Sequence, residues 1–487
     1  MKCKFESEYT HKKCDENALP GQDYCIFHSD FPKDKDKLKS ELKNKITNRD
    51  YNFEGYKLYS LELSNINTNN GLQFRNATFK EDFILKNGKV SSINFYGAHV
   101  IGNVEIKGSE ITKFVHFNND VVIGGDVKFN GTKIHMGCDF SNDNEKEYLN
   151  SFGVCNFSSI DVKGKLDFSN VKICGNINFV NAKTQKDLSF QHANINGKAD
   201  FREVIINGNA YFNSFWENKT FKVKDEAYFD GLNVKKDLHV NGAIFNKKVG
   251  FKRINVIGNS NFSQTKFLDD VDFSNAKFEG ETEFEKTIFE KEANFKNASF
   301  LFRGIFAELN PFNASFENAW LKNVIFNECD LTKVRFKHVI FDNCELSTSK
   351  LPKKIPEHIE YDNNKNEELK SISDTYKRIK KALQQEGEYD LAGEFYIKEM
   401  DSKKRLYHIG RTRIFYEFLS LLTRYGEKFN ILFGFIVLFY AFLIVLVYFC
   451  HLNQSSPWFI YFNIITVPVG SFLMALFVYI FARKMAR

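Results

Sequence analysis

Large apolar residues recur every eleven positions through the middle of this chain. The members of this ladder are Phe157, Phe168, Phe179, Phe190, Phe201, Phe212, Phe229, Val240, Phe251, Phe262, Phe273, Phe284, Phe295 and Phe306. A second apolar series follows five residues after the first, so the steps alternate between five and six. An α-helix returns to one face every three or four residues and would scatter these side chains around its surface. The pattern therefore predicts a solenoid in which each short segment turns one large residue inward.

Other positions support the same coil. Residues two places before the central one are expected to point inward too, because alternate residues of an extended segment share a side. Small examples are Ala182, Ala193, Ala276 and Ala298. Glycines are expected at corners, because glycine accepts a positive φ. Those near predicted corners are Gly164, Gly175, Gly197 and Gly208.

Towards residue 349 the spacing tightens to fives, in the segment FENAWLKNVIFNECDLTKVRFKHVIFDNCEL. This segment resembles the pentapeptide-repeat family, and the resemblance extends over residues 71–349. It implies a mainly β fold, a right-handed quadrilateral β-helix with roughly twenty residues per coil. At about 4.8 Å per coil, the shaft is expected to be on the order of 60 Å long.

Two gaps in the ladder are seventeen residues long, from Phe140 to Phe157 and from Phe212 to Phe229. Each is expected to add a six-residue bulge to the solenoid. The aromatic residues expected outside the ladder in the second gap are Phe215, Trp216 and Phe221. These aromatic residues could bind a partner, but we favour packing of the bulge against the coil, as is usual for solenoid insertions.

Two apolar runs of 24 residues, Phe429 to Leu452 and Trp458 to Phe481, contain no Asp, Glu, Lys or Arg. Each is long enough to cross a bilayer, which needs about 20 apolar residues. The flanking basic residues are Arg405, Arg411, Arg413, Arg424 and Lys428 before the first run, and Arg483, Lys484 and Arg487 after the second. The positive-inside rule then predicts a multi-pass plasma-membrane protein with both termini in the cytoplasm. The alternative is two buried helices of a soluble domain.

Three further segments extend the resemblance: AGEFYIKEM (Ala392 to Met400), TRYGEK (Thr423 to Lys428) and the final GSFLMALFVYIFARKMAR. They look like a subgroup of pentapeptide-repeat membrane proteins whose C-terminal module is similar to two-helix potassium channels. That resemblance implies a filter of backbone carbonyls with the sequence T-x-G-Y-G. The filter-like residues here are Thr466, Val467, Pro468, Val469 and Gly470. Proline replaces the first glycine and cannot copy its conformation, so we expect a degenerate or deleted filter within one continuous span.

The N-terminus carries the one candidate metal site, in the pattern C-x10-C-x10-C-x2-H formed by Cys3, Cys14, Cys25 and His28. Three thiolates and an imidazole suit tetrahedral Zn²⁺, and so polar a segment can hardly fold without a metal. We predict one structural zinc ion, with His11 as a substitute ligand. The alternative is an uncoordinated, partly disordered tail with free thiols. Four protein ligands close the coordination shell, so catalytic zinc is not expected.

These patterns predict the following organisation. The cysteine and histidine segment covers residues 1–32, a charged linker or helix with an N-terminal cap covers 33–70, and the β-helix covers 71–349. A linker follows over 350–365, then a helical hairpin with an interfacial amphipathic helix over 366–428, and a two-helix transmembrane hairpin over 429–487. Three carboxylates of the helical region are expected on solvated faces: Glu386, Glu394 and Glu399.

Composition limits the functions that fit. The net charge of the 487 residues is +6, but basic and acidic residues nearly cancel over residues 71–349, so no nucleic-acid partner is expected. Nine scattered cysteines and the polar start from Met1 to Asp30 favour a reducing compartment and no secretory leader. No Walker loop, dinucleotide fingerprint, nucleophile elbow or HExxH motif occurs.

The sequence therefore predicts a non-enzymatic integral membrane protein whose cytosolic rod acts as a protein-interaction scaffold. Membrane lipid and a protein bound to the solenoid surface are the expected partners. Gly470 with Ser471 and Ala475 permits close helix contact, so homo-oligomers through the transmembrane helices and simple lipid exposure both remain open. The alternative function is an ion channel or pore-forming subunit regulated by the repeats.

Overall fold

The computed structural model describes residues 1–118, 120–142, 151–214, 219–361, 366–407, 410–449 and 457–485. Four parallel sheets, one of 11 strands and three of 12, run along a rod, and helices follow them. The chain visits the sheets in a fixed order, which we call faces A, B, C and D. The predicted β-solenoid is confirmed, while its right-handed sense stays a prediction.

Faces A and B begin each coil. Face A contains the strands Lys57–Leu58, Thr78–Phe79, His99–Val100, Val122–Ile123, Ser151–Phe152, Lys172–Ile173, Asn194–Ile195, Lys222–Val223, Ile244–Phe245, Lys266–Phe267 and Ile288–Phe289. Face B contains Leu61–Ser64, Phe83–Lys86, Val104–Lys107, Val127–Lys128, Cys155–Asn156, Ile177–Asn178, Ala199–Asp200, Ala227–Tyr228, Val249–Gly250, Val271–Asp272, Ala293–Asn294 and Ala314–Ser315.

Faces C and D complete each coil. Face C contains Lys89–Val90, Glu110–Ile111, Lys133–Ile134, Asp161–Val162, Lys183–Thr184, Ile205–Ile206, Asn233–Val234, Asn255–Val256, Lys277–Phe278, Ser299–Phe300, Trp320–Lys322 and Ile340–Asp342. Face D contains Leu72–Gln73, Ile93–Asn94, Val115–His116, Cys138–Asp139, Leu166–Asp167, Leu188–Ser189, Ala210–Tyr211, Leu238–His239, Ser260–Asn261, Glu281–Glu283, Arg303–Ala307 and Val324–Asn327.

The register shows that a central coil spans two eleven-residue steps. Lys172 pairs with Asn194, and Ile244 pairs with Lys266, so the repeat is 22 residues. Near the C-terminal end of the rod it shortens to 20, where Trp320 pairs with Ile340. The length of roughly twenty that the family resemblance implied therefore applies only to the last coils.

Two coils are longer by six residues, as the ladder gaps predicted. Lys133 pairs with Asp161, and Asn194 pairs with Lys222, so each of these coils spans 28 residues. Residues 143–150 and 215–218, which include Phe215 and Trp216, lie outside the described residues.

The prediction for Phe221 was wrong. Its side chain is fully buried, and its ring centroid lies 5.6 Å from that of Phe212. Phe221 stands two residues before the inward-facing Val223, which is the same position that Ala193 occupies in the previous coil. It therefore fills the core rather than the bulge.

Phenylalanine rings form two columns inside the rod. Rings one coil apart stack, as Phe168 does on Phe190 with centroids 4.9 Å apart and planes 2° apart. Rings eleven residues apart meet edge to face, as Phe190 and Phe201 do at 5.1 Å and 79°. Both are favourable aromatic geometries, and the columns make one continuous core.

The left-handed turn follows each ladder ring by two residues. Asn170, Asn181 and His192 have φ of 58°, 60° and 59°. Asparagine and histidine are among the residues that tolerate this region best. The chain thus turns at a polar residue rather than at the predicted glycines.

The corner glycines serve a different purpose from the one predicted. Gly164 and Gly208 do not have positive φ. A Cβ atom on Gly164 would lie 2.4 Å from the carbonyl oxygen of Met136, and one on Gly208 would lie 2.6 Å from the backbone nitrogen of Asp187. Glycine is required there because adjacent coils approach too closely for a side chain.

Seven helices flank the rod within the described residues: α1 (Lys35–Thr47), α2 (Pro356–Ile359), α3 (Asn366–Glu386), α4 (Tyr389–Leu406), α5 (Arg411–Thr423), α6 (Phe429–Phe449) and α7 (Pro457–Met485). A 3-10 turn occupies Leu331–Lys333. Helix α1 buries Leu38 and Leu42 in the core that continues into the first coils, which begin at Lys57 rather than at residue 71.

Helix α3 covers the C-terminal end of the rod. Ile372, Tyr376 and Leu383 are buried in the same core as the last coils. The Glu386 carboxylate accepts hydrogen bonds from the backbone N–H groups of Leu346 and Ser347, both at 3.0 Å. Glu386 therefore satisfies backbone donors at the end of the last coil, which corrects its predicted place on a solvated face.

Glu399 of α4 also departs from its prediction. Its side chain is 2% exposed and accepts from the Lys380 ammonium group at 2.7 Å, with Lys403 as a second partner. A buried carboxylate needs such compensation, because leaving it unpaired would cost several kcal/mol. Glu394 is exposed, as predicted.

Helices α6 and α7 form a hairpin in which Gly470 lies against α6. A Cβ atom there would lie 2.8 Å from the Tyr440 hydroxyl oxygen. Within the described parts of the chain, no helix has both the length and the apolar character that crossing a membrane demands. The two transmembrane helices stay a prediction.

We expect Phe201→Ala to lower the free energy of unfolding by about 3–5 kcal/mol, because it removes a ring from the middle of a column. Phe201 stacks on Phe179 at 5.4 Å and on Phe229 at 5.2 Å. Chemical denaturation followed by far-ultraviolet circular dichroism measures the change. The control is Phe302→Ala, whose ring is 60% exposed and which should cost no more than about 0.5 kcal/mol. Equal losses in the two variants would contradict the stacked core.

We expect Glu386→Ala to destabilise the protein by about 1–3 kcal/mol, because two backbone N–H groups lose their acceptor. Glu394→Ala is the matched control, since that carboxylate is exposed and its removal should be nearly neutral. Thermal unfolding of both variants provides the comparison. A neutral Glu386→Ala would show that water replaces the carboxylate at no cost.

Candidate metal centre

Two local structures present the four predicted ligands. Residues 2–6 and 13–17 form a small antiparallel hairpin through the bridges Lys2 to Asn17 and Glu6 to Lys13. Cys3 and Cys14 lie on its two strands. Cys25 and His28 lie on a helical turn, where the His28 backbone N–H donates to the Cys25 carbonyl at 3.1 Å. The three-residue spacing puts both side chains on one side of that turn.

The structure brings all four donor atoms together. The three sulfur atoms and the imidazole nitrogen lie within 4.8 Å of one another. The Cys14 and Cys25 sulfurs are 3.9 Å apart, and Nδ1 of His28 lies 3.6 Å from the Cys3 sulfur and 3.2 Å from the Cys25 sulfur. Ligands at the edges of a tetrahedral zinc site are separated by about 3.5–3.8 Å. The cluster can therefore hold a metal ion.

His28 is oriented by groups outside the cluster. Its Nε2 lies 3.2 Å from the carbonyl oxygen of Glu54, and its ring stacks on Phe5 with centroids 3.9 Å apart. A carbonyl only accepts hydrogen bonds, so Nε2 carries the proton and Nδ1 presents its lone pair to the sulfurs. Such an outer partner is typical of metal-binding histidines.

Burial sets the protonation of these ligands. Burial lowers the pKa of His28 to about 4, so its imidazole is neutral at neutral pH and can bind a metal. Burial also raises the pKa of the Cys25 thiol to about 12 and raises that of Cys14. A bound cation would reverse this penalty on the thiolates, because opposite charge favours the ionised form.

The arrangement is closed. Cys3, Cys25 and His28 are buried, and Cys14 is half-buried. Four protein donors fill a tetrahedral shell and leave no position for substrate, which is the pattern of a structural site. His11, the alternative ligand, is exposed in the hairpin turn and is not among the converging residues.

Sequence reasoning missed the two groups that orient His28. Glu54 acts through its backbone carbonyl, so its residue type carries no signal. Phe5 could have been found, because it stands two residues after Cys3 and alternate residues of a strand share a face.

The filter-like segment lies inside α7, which runs without a break from Pro457 to Met485. Carbonyl oxygens within an α-helix accept the hydrogen bonds of the helix itself. A potassium filter instead needs carbonyl oxygens directed at the ion. The helical backbone of Thr466 to Gly470 therefore does not form such a ring.

Four stacked parallel sheets around aromatic columns define this chain as a β-solenoid built from short repeats. Two family models match it, pentapeptide repeats (9 copies) over residues 241–288 and pentapeptide repeats (8 copies) over residues 312–347. The prediction of a pentapeptide-repeat protein is confirmed at this level, whereas no family match supports the channel-like C-terminal module. Neither a curated protein nor a solved structure matches the chain.

Proposed function

We propose that this protein is a non-enzymatic interaction scaffold, held at the cytoplasmic face of the plasma membrane by its C-terminal helices. The supporting observation is the continuous four-sided rod, whose apolar side chains fill one core while the outward positions carry mostly polar and charged groups. Solenoids of this kind present extended surfaces for binding. The proposed partner is another protein bound to those faces.

The outer surface near the C-terminal end of the rod has the chemistry of a contact site. Trp320 and Ile340 face outward on adjacent strands of face C, with 44% and 51% of their surface exposed. Aromatic residues are enriched at the centres of protein interfaces. This pair is the contact that we favour for a protein partner.

Exposed apolar side chains support the membrane attachment. On α6, Leu438, Phe442 and Ile444 are 69%, 61% and 70% exposed, and no acidic or basic residue occurs from Phe429 to Phe449. Apolar surface of this extent on a free protein marks an interaction site. Arg424 and Lys428 are exposed just before α6, where basic side chains attract anionic lipid headgroups.

In-cell cross-linking followed by membrane fractionation tests the proposed scaffold. We expect the full-length protein to sediment with membranes, resist alkaline carbonate and dissolve in detergent. We also expect cross-links from a photoreactive residue at position 320 to a discrete partner. The same residue placed at the buried position 168 is the control and should capture nothing. A protein that stays in the supernatant would refute the attachment, and one that shows no partner at position 320 would refute the proposed contact.

We infer that the candidate metal centre holds one structural Zn²⁺. Sulfur and imidazole donors in a closed set of four favour zinc over the hard cations, which prefer oxygen. Cys3, Cys14, Cys25 and His28 would hold it, and its charge would stabilise the thiolates.

We expect the purified full-length protein to contain one equivalent of zinc, measured by plasma mass spectrometry. Cys25→Ser should lose the metal, because it removes a buried ligand. Cys174→Ser is the control, since that cysteine is exposed on the rod and belongs to no ligand cluster within the described residues. Absence of zinc from the wild-type protein would exclude the site, and its retention in Cys25→Ser would exclude this ligand set.

A further inference from the structure

We propose that the metal ion locks residues 1–32, here called the N-terminal cap, over the first strand edge of the solenoid. The idea rests on the zinc site proposed above and adds what that ion does. Its release should open the N-terminal end of the rod while the remaining coils stay folded.

The N-terminal cap has little else to hold it together. Apart from cysteines, Ile26 and Phe27 are the only buried apolar residues among residues 1–32, all of which the structure describes. A segment of this size buries too little apolar surface for independent stability. The ligands join the two hairpin strands to the turn at Cys25, so one ion would cross-link the whole cap.

The turn that carries two of the ligands also covers the rod. The Phe27 carbonyl accepts a hydrogen bond from the Lys57 backbone N–H at 2.8 Å. The Phe27 ring stacks on Tyr56 with centroids 4.6 Å apart and planes 6° apart. Phe27 lies between Cys25 and His28 in the sequence, so a change at either ligand displaces it directly.

The covered strand is an edge. Lys57–Leu58 is the first strand of face A, and its only sheet neighbour is the strand Thr78–Phe79. An uncovered edge offers unpaired backbone groups to water or to another chain, so solenoids need caps. Phe27 supplies the acceptor that the Lys57 amide would otherwise lack.

Hydrogen exchange of the full-length protein tests the lock, because the Lys57 amide reports on the cap directly. We compare the zinc-loaded protein, the same protein after chelation, and Cys14→Ser, which removes the half-buried ligand. Without metal, exchange over residues 53–61 should rise at least about tenfold. Residues 240–251, in the centre of the rod, should be unchanged, and Cys174→Ser should behave as the wild type.

Three outcomes would overturn the proposal. Zinc that binds stoichiometrically but leaves the exchange of residues 53–61 unchanged on removal would refute the lock and leave the metal site intact. Loss of protection along the entire rod would show that the ion supports the whole fold rather than its end. A protein that binds no zinc would refute both the site and the lock.

Discussion

The stacking of inward-facing rings between adjacent coils is the contact on which the rest of the molecule depends. Phe157 stacks on Phe179 at 5.0 Å because exactly one coil of chain separates them, and the parallel strand register repeats that offset along the rod. A coil can lengthen only where it leaves the strands. The two 28-residue coils obey this rule, since their neighbours stay in register on every face.

A stacked core of this kind has two open ends, and the chain closes them by different means. At the C-terminal end, α3 buries apolar residues against the last coils and Glu386 accepts from two backbone N–H groups. At the N-terminal end, α1 and a small polar segment with four converging metal ligands cover the first strands. The polar segment needs a cross-link because it buries so few apolar side chains.

The helical region joins the rod to the apolar hairpin through two segments that are distant in sequence. The Tyr425 hydroxyl donates to the Asp401 carboxylate at 2.8 Å, and Glu427 packs where a side chain on Gly393 would collide with it. The backbone from Arg424 to Gly426 is left-handed at all three residues, which turns the chain sharply between α5 and α6. The segments AGEFYIKEM and TRYGEK therefore meet at one joint.

The sequence alone determined the coiling, because the inward position repeats at short range and needs no knowledge of distant neighbours. It also determined the four candidate ligands, since thiol and imidazole chemistry is visible in residue type. The tertiary structure decided the 22-residue coil, the tight corners at Gly164 and Gly208, and the buried roles of Phe221, Glu386 and Glu399. Each of these depends on atoms of another coil or helix, whose distance from a residue is set only when the chain has folded.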